Sequence, residues 1–334
     1  MVKEIGSYQS NIILQDDNNG FFNDELVWFI SGRSALDYII KDIKYKKETK
    51  KAALPSWCCD SMIAPFIINN IDVDFYDVII EDGRLIKTIN TDADVLLNID
   101  YFGFEHSDVS FPGIIINDIT HSVFTDIDEI SDYKFCSLRK WAGFVTAGFA
   151  YSKDGFSVAA YNDTNDEYVL MRKNAMKGKE NYLHDISTSK DYYDIFVRSE
   201  EQLNDLYGFA GTIQDINDAK HLNVEHLINR RKENARVLLN EFKEIAIFKE
   251  INDNDCPLYF PIIVPNGEKE NLRKYLVQKN IYCPTHWQLT NLHNISDKAK
   301  YIYDNELSLI CDQRYSVEDM RHLINEIKEY YKGI

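Results

Sequence analysis

The sequence predicts an α/β fold built on a mostly parallel β-sheet, and three features of its 334 residues support this. Short apolar runs rich in Ile, Val and Leu recur along the first half of the chain. Helix-like patterns separate these runs, as the crossovers of a parallel sheet require. The runs are apolar on both faces, which is typical of strands covered by helices on each side. A chain of this length can bury a large core, in one large domain or in two.

The elements of the first half follow from these patterns. A helix is predicted over 34–43, where Leu36, Ile39, Ile40 and Ile43 share one face. The strands are predicted at 26–30, 73–78, 93–102, 113–120 and 147–152. Residues 160–220 are charged and rich in Tyr and Lys, so we expect helices and loops that lie over the sheet.

The second half begins with a long helix over 224–242, for which Asn223 is the expected N-cap. The pattern changes near residue 250, where a strand (258–264), a helix (268–280) and a short strand (281–284) follow one another. A C-terminal helix begins after Ser316, which forms a capping-box pattern with Asp319. These changes predict a large α/β domain over 1–245 and a small α+β domain over 246–334.

Composition excludes several classes of partner. The formal net charge is −17, so the surface repels phosphate backbones and nucleic-acid binding is not expected. A local basic pocket for a small anion is still compatible with this charge. No apolar run is long enough to cross a bilayer, and the N-terminal residues lack the apolar core of a signal peptide. The six cysteines are scattered, so neither disulfides nor a metal site is expected. We therefore expect a soluble cytoplasmic protein without a membrane partner.

Candidate site residues occur in three segments. The first, Ser31-Gly32-Arg33-Ser34, lies between a predicted strand and a predicted helix. Gly32 allows the backbone to approach a phosphate group closely, and the amides of Arg33 and Ser34 begin the helix. The guanidinium of Arg33 can add a charge-assisted hydrogen bond. A plain helix cap is the ordinary alternative for this segment.

The other two segments supply an acid and an amine. Asp118 ends an apolar run, at the position where α/β sheets bind ligands, and His121 follows it. Lys140 comes next, with Ser137 three residues before it and a run of small residues after it. A strand-end turn and a solvated lysine are the ordinary alternatives. In this order, the three segments match the needs of pyridoxal phosphate (PLP): a phosphate loop, an acid for the pyridine nitrogen and a Schiff-base lysine.

The sequence resembles the DegT/StrS-type sugar aminotransferases, a family of fold type I PLP-dependent enzymes. Residues 31–36 resemble its Ser-Gly-Thr-x-Ala-Leu loop, residues 55–59 its Pro-Ser-x-Thr-aromatic turn and residues 118–121 its Asp-x-x-Gln segment. The resemblance implies a large domain with a mostly parallel sheet and a small C-terminal domain. It implies Lys140, Asp118 and His121 as catalytic residues. The cofactor-binding residues would be Ser31, Gly32, Arg33, Ser34, Trp57, Asp118, Thr120, His121, Ser137 and Lys140.

Several positions depart from the family pattern. Arg33 replaces a threonine, and His121 replaces the glutamine that contacts the ring hydroxyl. Cys59 stands where the family has the aromatic residue that stacks on the ring, so Trp57 is the substitute that we assign. Ser137 lies three residues before the lysine, where the family usually has five. These differences indicate a divergent branch of the family.

The resemblance also implies a reaction. An amino acid, with glutamate as the expected donor, would transfer its amino group to a keto-sugar nucleotide for polysaccharide or amino-sugar synthesis. Arg314 would bind a substrate carboxylate, whereas His286 and Tyr182 are weaker candidates for substrate contacts. A homodimer with a shared active site is expected. The alternatives are a PLP enzyme that acts on an amino acid, as a lyase or in sulfur transfer, and a non-catalytic regulatory protein of the same fold.

Overall fold

A computed structural model describes residues 3–81, 84–104, 109–125 and 131–332. In chain order the strands are β1 (Ile5–Gly6), β2 (Val27–Phe29), β3 (Lys51–Pro55), β4 (Asp72–Glu81), β5 (Arg84–Thr88), β6 (Val95–Ile99), β7 (Ile114–Asp118), β8 (Tyr133–Ser137), β9 (Gly148–Ser152), β10 (Phe260–Ile263), β11 (Ile281–Tyr282) and β12 (Glu306–Leu309). The α-helices are α1 (Gly32–Lys46), α2 (Asp60–Ile68), α3 (Asp166–Leu183), α4 (Tyr192–Gln202), α5 (Ile213–Lys220), α6 (Val224–Phe242), α7 (Lys269–Gln278), α8 (Asp297–Asn305) and α9 (Val317–Lys332).

The central sheet of the described residues has eight strands in the order β2-β9-β8-β7-β6-β3-β4-β5. Neighbouring strands from β8 through β7, β6 and β3 to β4 all pair in parallel. Strand β9 is antiparallel to both β8 and β2, and β5 is antiparallel to β4. The predicted mostly parallel α/β sheet is therefore confirmed. Strands β3, β5 and β8 of this sheet were not among the predicted elements.

Helix α1 shows how local sequence specifies an element of this fold. Ser31 caps it, because the Ser31 side chain accepts a hydrogen bond from the amide of Ser34. All four apolar residues predicted to share a face, Leu36, Ile39, Ile40 and Ile43, are at most 1% exposed. Each buried aliphatic side chain of this kind contributes about 1.5–3 kcal/mol. The buried face fixes α1 on the sheet, and its N-terminus then lies beside the end of β8.

The caps predicted in the second half are also confirmed. Asn223 accepts from the amide of His226 at the start of α6. The amide of Ser316 donates to Asp319 Oδ2 at 2.9 Å, and the amide of Asp319 donates to Ser316 Oγ at 3.3 Å. This reciprocal pair begins α9. The predicted helices over 160–220 are α3, α4 and α5, and α3 packs along α4.

Two small sheets complete the described fold. Strands β10 and β12 pair in antiparallel orientation, whereas β1 pairs in parallel with β11. The beginning of the chain is thus joined to its last third. The division into domains at residue 245 stays a prediction. Among the described residues, no helix has the length and apolar character needed to cross a membrane.

Candidate active site

Lys140 ends a 3-10 turn, Leu138–Lys140, that directly follows β8. Two hydrogen bonds of the next residue, Trp141, fix the position of this turn. Its indole Nε1 donates to the carbonyl oxygen of Thr120 at 2.7 Å, and its own carbonyl oxygen accepts from Gln313 Nε2 at 2.7 Å. The Lys140 side chain is exposed and lines a cavity of about 410 Å³. The amine therefore stands on a well-held turn and is open to a ligand.

Asp118 is the last residue of β7, the strand beside β8, and is 1% exposed. Its Oδ1 accepts from the amide of Thr120 at 2.8 Å. Burial raises the pKa of Asp118 to about 7, and Lys140 acts in the opposite direction. Within the described part of the chain, Asp118 forms no ion pair. A cationic group placed beside it would remove the cost of ionising this carboxyl group.

His121 follows at the same edge of the sheet and is 3% exposed. Burial lowers the pKa of His121 to about 3, and Lys140 contributes to this shift, so the ring is neutral. The amide of Phe102 donates to its Nδ1 at 3.4 Å. The ring proton then lies on Nε2, which makes that atom a hydrogen-bond donor. The ring of Trp287 stacks against the imidazole with centroids 5.6 Å apart.

The start of α1 meets the end of β8 closely. A Cβ atom added to Gly32 would lie 3.1 Å from the Cβ of Ser137, so a larger residue at this position would displace its neighbour by a few tenths of an ångström. The buried hydroxyl of Ser137 has no hydrogen-bond partner within the described residues. Ser31 Oγ and Ser34 Oγ lie 3.1 Å apart beside it. A helix N-terminus next to an unsatisfied hydroxyl is suited to bind a phosphate group.

Arg33, also predicted at this site, extends to the far side of the loop. Its Nη1 donates to Oδ1 of Asn204, just after α4. The structure thus gives Arg33 a partner on a neighbouring element, and a phosphate contact by Arg33 stays a prediction.

Trp57, predicted to stack on a cofactor ring, and Cys59, which replaces the family's aromatic residue, differ in their surroundings. Trp57 is fully buried, its Nε1 donates to the carbonyl oxygen of His286, and its ring stacks on Tyr101 at 4.8 Å. One face of this indole is therefore already covered. Cys59 is only partly buried. Burial raises the pKa of its thiol, while Lys140 lowers it. Lys140 acts on the Cys59 thiol electrostatically, and the assignment of the stacking role to Trp57 stays a prediction.

Arg314 lines the Lys140 cavity, but its donors are engaged. Nε and Nη2 donate to the two carboxylate oxygens of Asp312 at 2.9 and 2.8 Å. Nη1 donates to the carbonyl oxygens of Gly6 and Tyr8 at 3.3 and 3.2 Å. The guanidinium thus holds the N-terminal segment against the cavity. The predicted contact with a substrate carboxylate would require some of these bonds to break.

His286 and Tyr182 were the weaker candidates. The amide of His286 donates to Glu306 Oε2 at 2.6 Å, its Nδ1 lies 2.8 Å from Ser308 Oγ, and its ring is edge-on to His121 at 5.4 Å. His286 is therefore packed beside the candidate site. Tyr182 is buried against Tyr192, with centroids 5.7 Å apart, and does not line the Lys140 cavity. Its predicted contact with substrate stays a prediction.

One cluster at the cavity was missed by the sequence analysis. Arg139 donates through Nη1 and Nη2 to the two carboxylate oxygens of Glu200, at 2.7 and 3.3 Å. Arg172 donates through Nη1 to Glu200 Oε1 at 2.6 Å. All three side chains line the cavity together with Lys140. The members come from the Lys140 turn, α3 and α4, and no short motif in the sequence connects them.

Solved structures of sugar aminotransferases resemble this fold. PseC of Helicobacter pylori, an aminotransferase involved in the biosynthesis of pseudoaminic acid, gives a TM-score of 0.66 at 14% identity, over 99% of this chain and 100% of that chain. An apo-form protein of Streptococcus pneumoniae, assigned as a sugar aminotransferase, gives 0.62 at 16% identity, over 91% and 85%. A DegT/DnrJ/EryC1/StrS aminotransferase of Brucella abortus gives 0.58 at 13% identity, over 91% and 85%.

The Streptococcus protein also matches in a PLP form and a PMP form. No protein-family model matches the sequence, and neither does any curated protein. At these identities the likeness is one of fold. The chain has the α/β fold of the type I PLP-dependent transferases, as the resemblance implied.

Proposed function

We propose that this protein is a PLP-dependent aminotransferase in which Lys140 carries the cofactor. The observation that carries this proposal is Asp118, a carboxyl group buried at the end of a central strand without a cationic partner in the described structure. Burial raises its pKa to about 7. A protonated pyridine nitrogen is the kind of partner that this carboxylate lacks. The exposed amine of Lys140 acts on it electrostatically from the neighbouring turn.

The remaining residues fit the other parts of PLP. The start of α1 and the unsatisfied hydroxyl of Ser137 suit the phosphate group, and Gly32 leaves the space for it. Nε2 of His121 is a donor suited to the ring hydroxyl. PLP supplies an electron sink that stabilises negative charge at the carbon next to the reacting nitrogen.

The protein's own part in the reaction is to move one proton and hold another. Nζ of Lys140 would accept the proton from the α-carbon of the donor and return it to the cofactor carbon that bore the imine. Asp118 would keep the proton on the pyridine nitrogen, because the buried carboxylate is stabilised only beside a positive charge. Trp141, which fixes the Lys140 turn on both sides, would hold Nζ in reach of both carbon atoms.

For substrates, we propose an amino acid donor, with glutamate as the first to test, and a keto-sugar nucleotide as acceptor. The named activities of the solved neighbours support a sugar acceptor. We also propose a cytoplasmic homodimer with a shared site, since Lys140 is exposed in the single chain and a second subunit would shield it from water.

The test begins with absorbance. The purified protein incubated with PLP should show an absorption band in the visible range that borohydride removes. The reduction should leave the cofactor as a covalent label on the peptide that contains Lys140. Lys140→Ala should lack the band and the label, whereas Lys153→Ala, at an exposed position, should keep both. L-Glutamate should then convert the bound cofactor to its pyridoxamine form. Absence of the band in the wild type, or its persistence in Lys140→Ala, would refute the proposal.

Sulfur transfer is the less favoured alternative. Such chemistry needs a thiolate. Burial is the largest influence on the pKa of each of the six cysteine thiols. In each case the pKa is raised above its ordinary value. Release of sulfide from cysteine by the PLP-loaded protein, with no pyridoxamine formed from any amino donor, would favour the alternative.

A further inference from the structure

The Arg139–Glu200–Arg172 cluster lies in the wall of the Lys140 cavity and is largely buried. The side chains of Arg139 and Arg172 are 9% and 4% exposed, and that of Glu200 is 36% exposed. The guanidinium of Arg172 lies over the ring of Phe196, with its central carbon 4.6 Å from the ring centroid, and 5.6 Å from that of Tyr8. These contacts hold the planar group in one orientation at the cavity.

The cluster has hydrogen-bond donors to spare. The bonds of Arg172 to Glu200 and to Ser199 both use Nη1, and Nη2 donates to nothing within the described ranges. Nε of Arg172 and Nε of Arg139 are buried and lack a partner in the same residues. Unpaired donors on a charged group are costly to bury, so a bound acceptor would stabilise this arrangement.

The cluster also has a surplus of positive charge. Burial would raise the pKa of Glu200, but Arg139 and Arg172 outweigh it and hold the pKa well below its ordinary value. One carboxylate therefore faces two guanidinium groups. Arg314, which also lines the cavity, is compensated by Asp312, and Arg273 pairs with Glu270. The excess charge is thus concentrated beside Lys140.

We propose that the Arg139–Glu200–Arg172 cluster binds a carboxylate of the amino donor, with Arg172 as its main contact. This inference rests on the proposed function. The α-carboxylate of an amino acid is one bond from the carbon that loses its proton, so its site must adjoin the reactive amine. Arg139 directly precedes Lys140 in the chain, and both line the same cavity.

A carboxylate suits the cluster better than a phosphate group does. A surplus of one positive charge matches one singly charged group, whereas a phosphate ester carries about two negative charges at neutral pH. The planar fork of a guanidinium binds a carboxylate through two parallel bonds. The role first assigned to Arg314 would then belong to Arg172, which lines the same cavity.

Calorimetric titration of the PLP-loaded protein with succinate tests this inference without turnover. Arg172→Gln should weaken succinate binding about 10- to 100-fold, the usual effect of losing hydrogen bonds to a charged group. Glu200→Gln should strengthen it several-fold, because the competing carboxylate is gone. Arg321→Gln, an exposed arginine of α9, is the matched control and should bind succinate as the wild type does.

The outcomes separate this inference from the proposed function. Unchanged succinate affinity in Arg172→Gln would overturn the inference, and so would binding of inorganic phosphate in preference to succinate. Thermal melts identify a variant that has failed to fold. In that case Arg172→Lys, which keeps the charge but lacks the fork, must still weaken binding. If borohydride traps no PLP on Lys140, the proposed function itself has failed. Trapped PLP without succinate binding in the wild type refutes only the carboxylate site.

Discussion

Two arginine clusters line the Lys140 cavity, and they differ in how fully the protein satisfies their charges. In the closed cluster, Arg314 is paired with Asp312 and with carbonyl oxygens of the N-terminal segment. In the open cluster, Arg139 and Arg172 share Glu200 and keep unused donors. The contrast indicates that an arginine in a cavity is a candidate for ligand binding only if its own protein leaves it unsatisfied.

The closed cluster should be the more important of the two for stability. Burial would raise the pKa of Asp312, but Arg314 outweighs burial and holds the pKa below its ordinary value. Asp312→Asn leaves a buried guanidinium without its counter-charge and should cost about 3–5 kcal/mol. Urea unfolding of the variant, with Asp297→Asn at an exposed site as control, measures this loss. A loss below about 1 kcal/mol would contradict the closed arrangement.

Asp118 is the opposite case, a buried acid without a counter-charge in the described structure. Its folded pKa of about 7 lies above the ordinary value of 3.8, so folding favours the protonated form. Its contribution to stability is complete below about pH 4 and is lost as the pH rises to about 7, by up to about 4 kcal/mol.

A comparison of PLP-free and PLP-loaded protein tests whether the stability falls as the pH rises. Urea unfolding between pH 4 and pH 7.5 should show the loss in PLP-free protein. Asp118→Asn should make the loss smaller, and the remainder includes the contribution of Glu306, whose pKa burial raises to about 8. Bound PLP should also reduce the loss by supplying the missing positive charge. Identical pH profiles for the wild type and Asp118→Asn would show that Asp118 ionises without cost.

The open cluster should contribute less to stability than the closed one. Glu200 is 36% exposed, compared with 3% for Asp312, so its carboxylate is partly solvated and its ion pairs contribute less to stability. Glu200→Gln should therefore cost about 1–2 kcal/mol in urea unfolding, roughly half the cost of Asp312→Asn or less. If the two variants are equally destabilised, the distinction between the clusters is wrong, and Arg172 is not available to a ligand.

The sequence predicted what local patterns determine. Helices α1 and α6 have caps and apolar faces within one short stretch, so Ser31 and Asn223 could be recognised as their starts. Strand β8 escaped notice because Lys134 interrupts its apolar pattern. Its place beside β7 depends on pairing between residues far apart in the chain.

The site was predictable to the same extent. The positions of Asp118 and Lys140 could be recognised in the sequence, because Asp118 ends a strand and Lys140 lies in the turn that follows another strand. The sequence did not show whether Arg314 is free to bind a ligand, although its partner Asp312 stands only two residues before it. The Glu200 cluster depends on α3 and α4 packing beside the Lys140 turn, and this contact leaves no trace in any single segment.

The smallest expected effect on stability concerns Gly32. Alanine is the better helix former by about 1 kcal/mol, but its Cβ would lie 3.1 Å from that of Ser137, so the free energy of unfolding should change by less than about 1 kcal/mol. The added methyl group would still occupy the space that a phosphate needs at the start of α1. PLP affinity, measured by absorbance titration, should fall about tenfold or more, with Gly208→Ala as control at an open position where the added methyl group meets no atom within 4 Å. Unchanged PLP affinity in Gly32→Ala would place the phosphate elsewhere in the molecule.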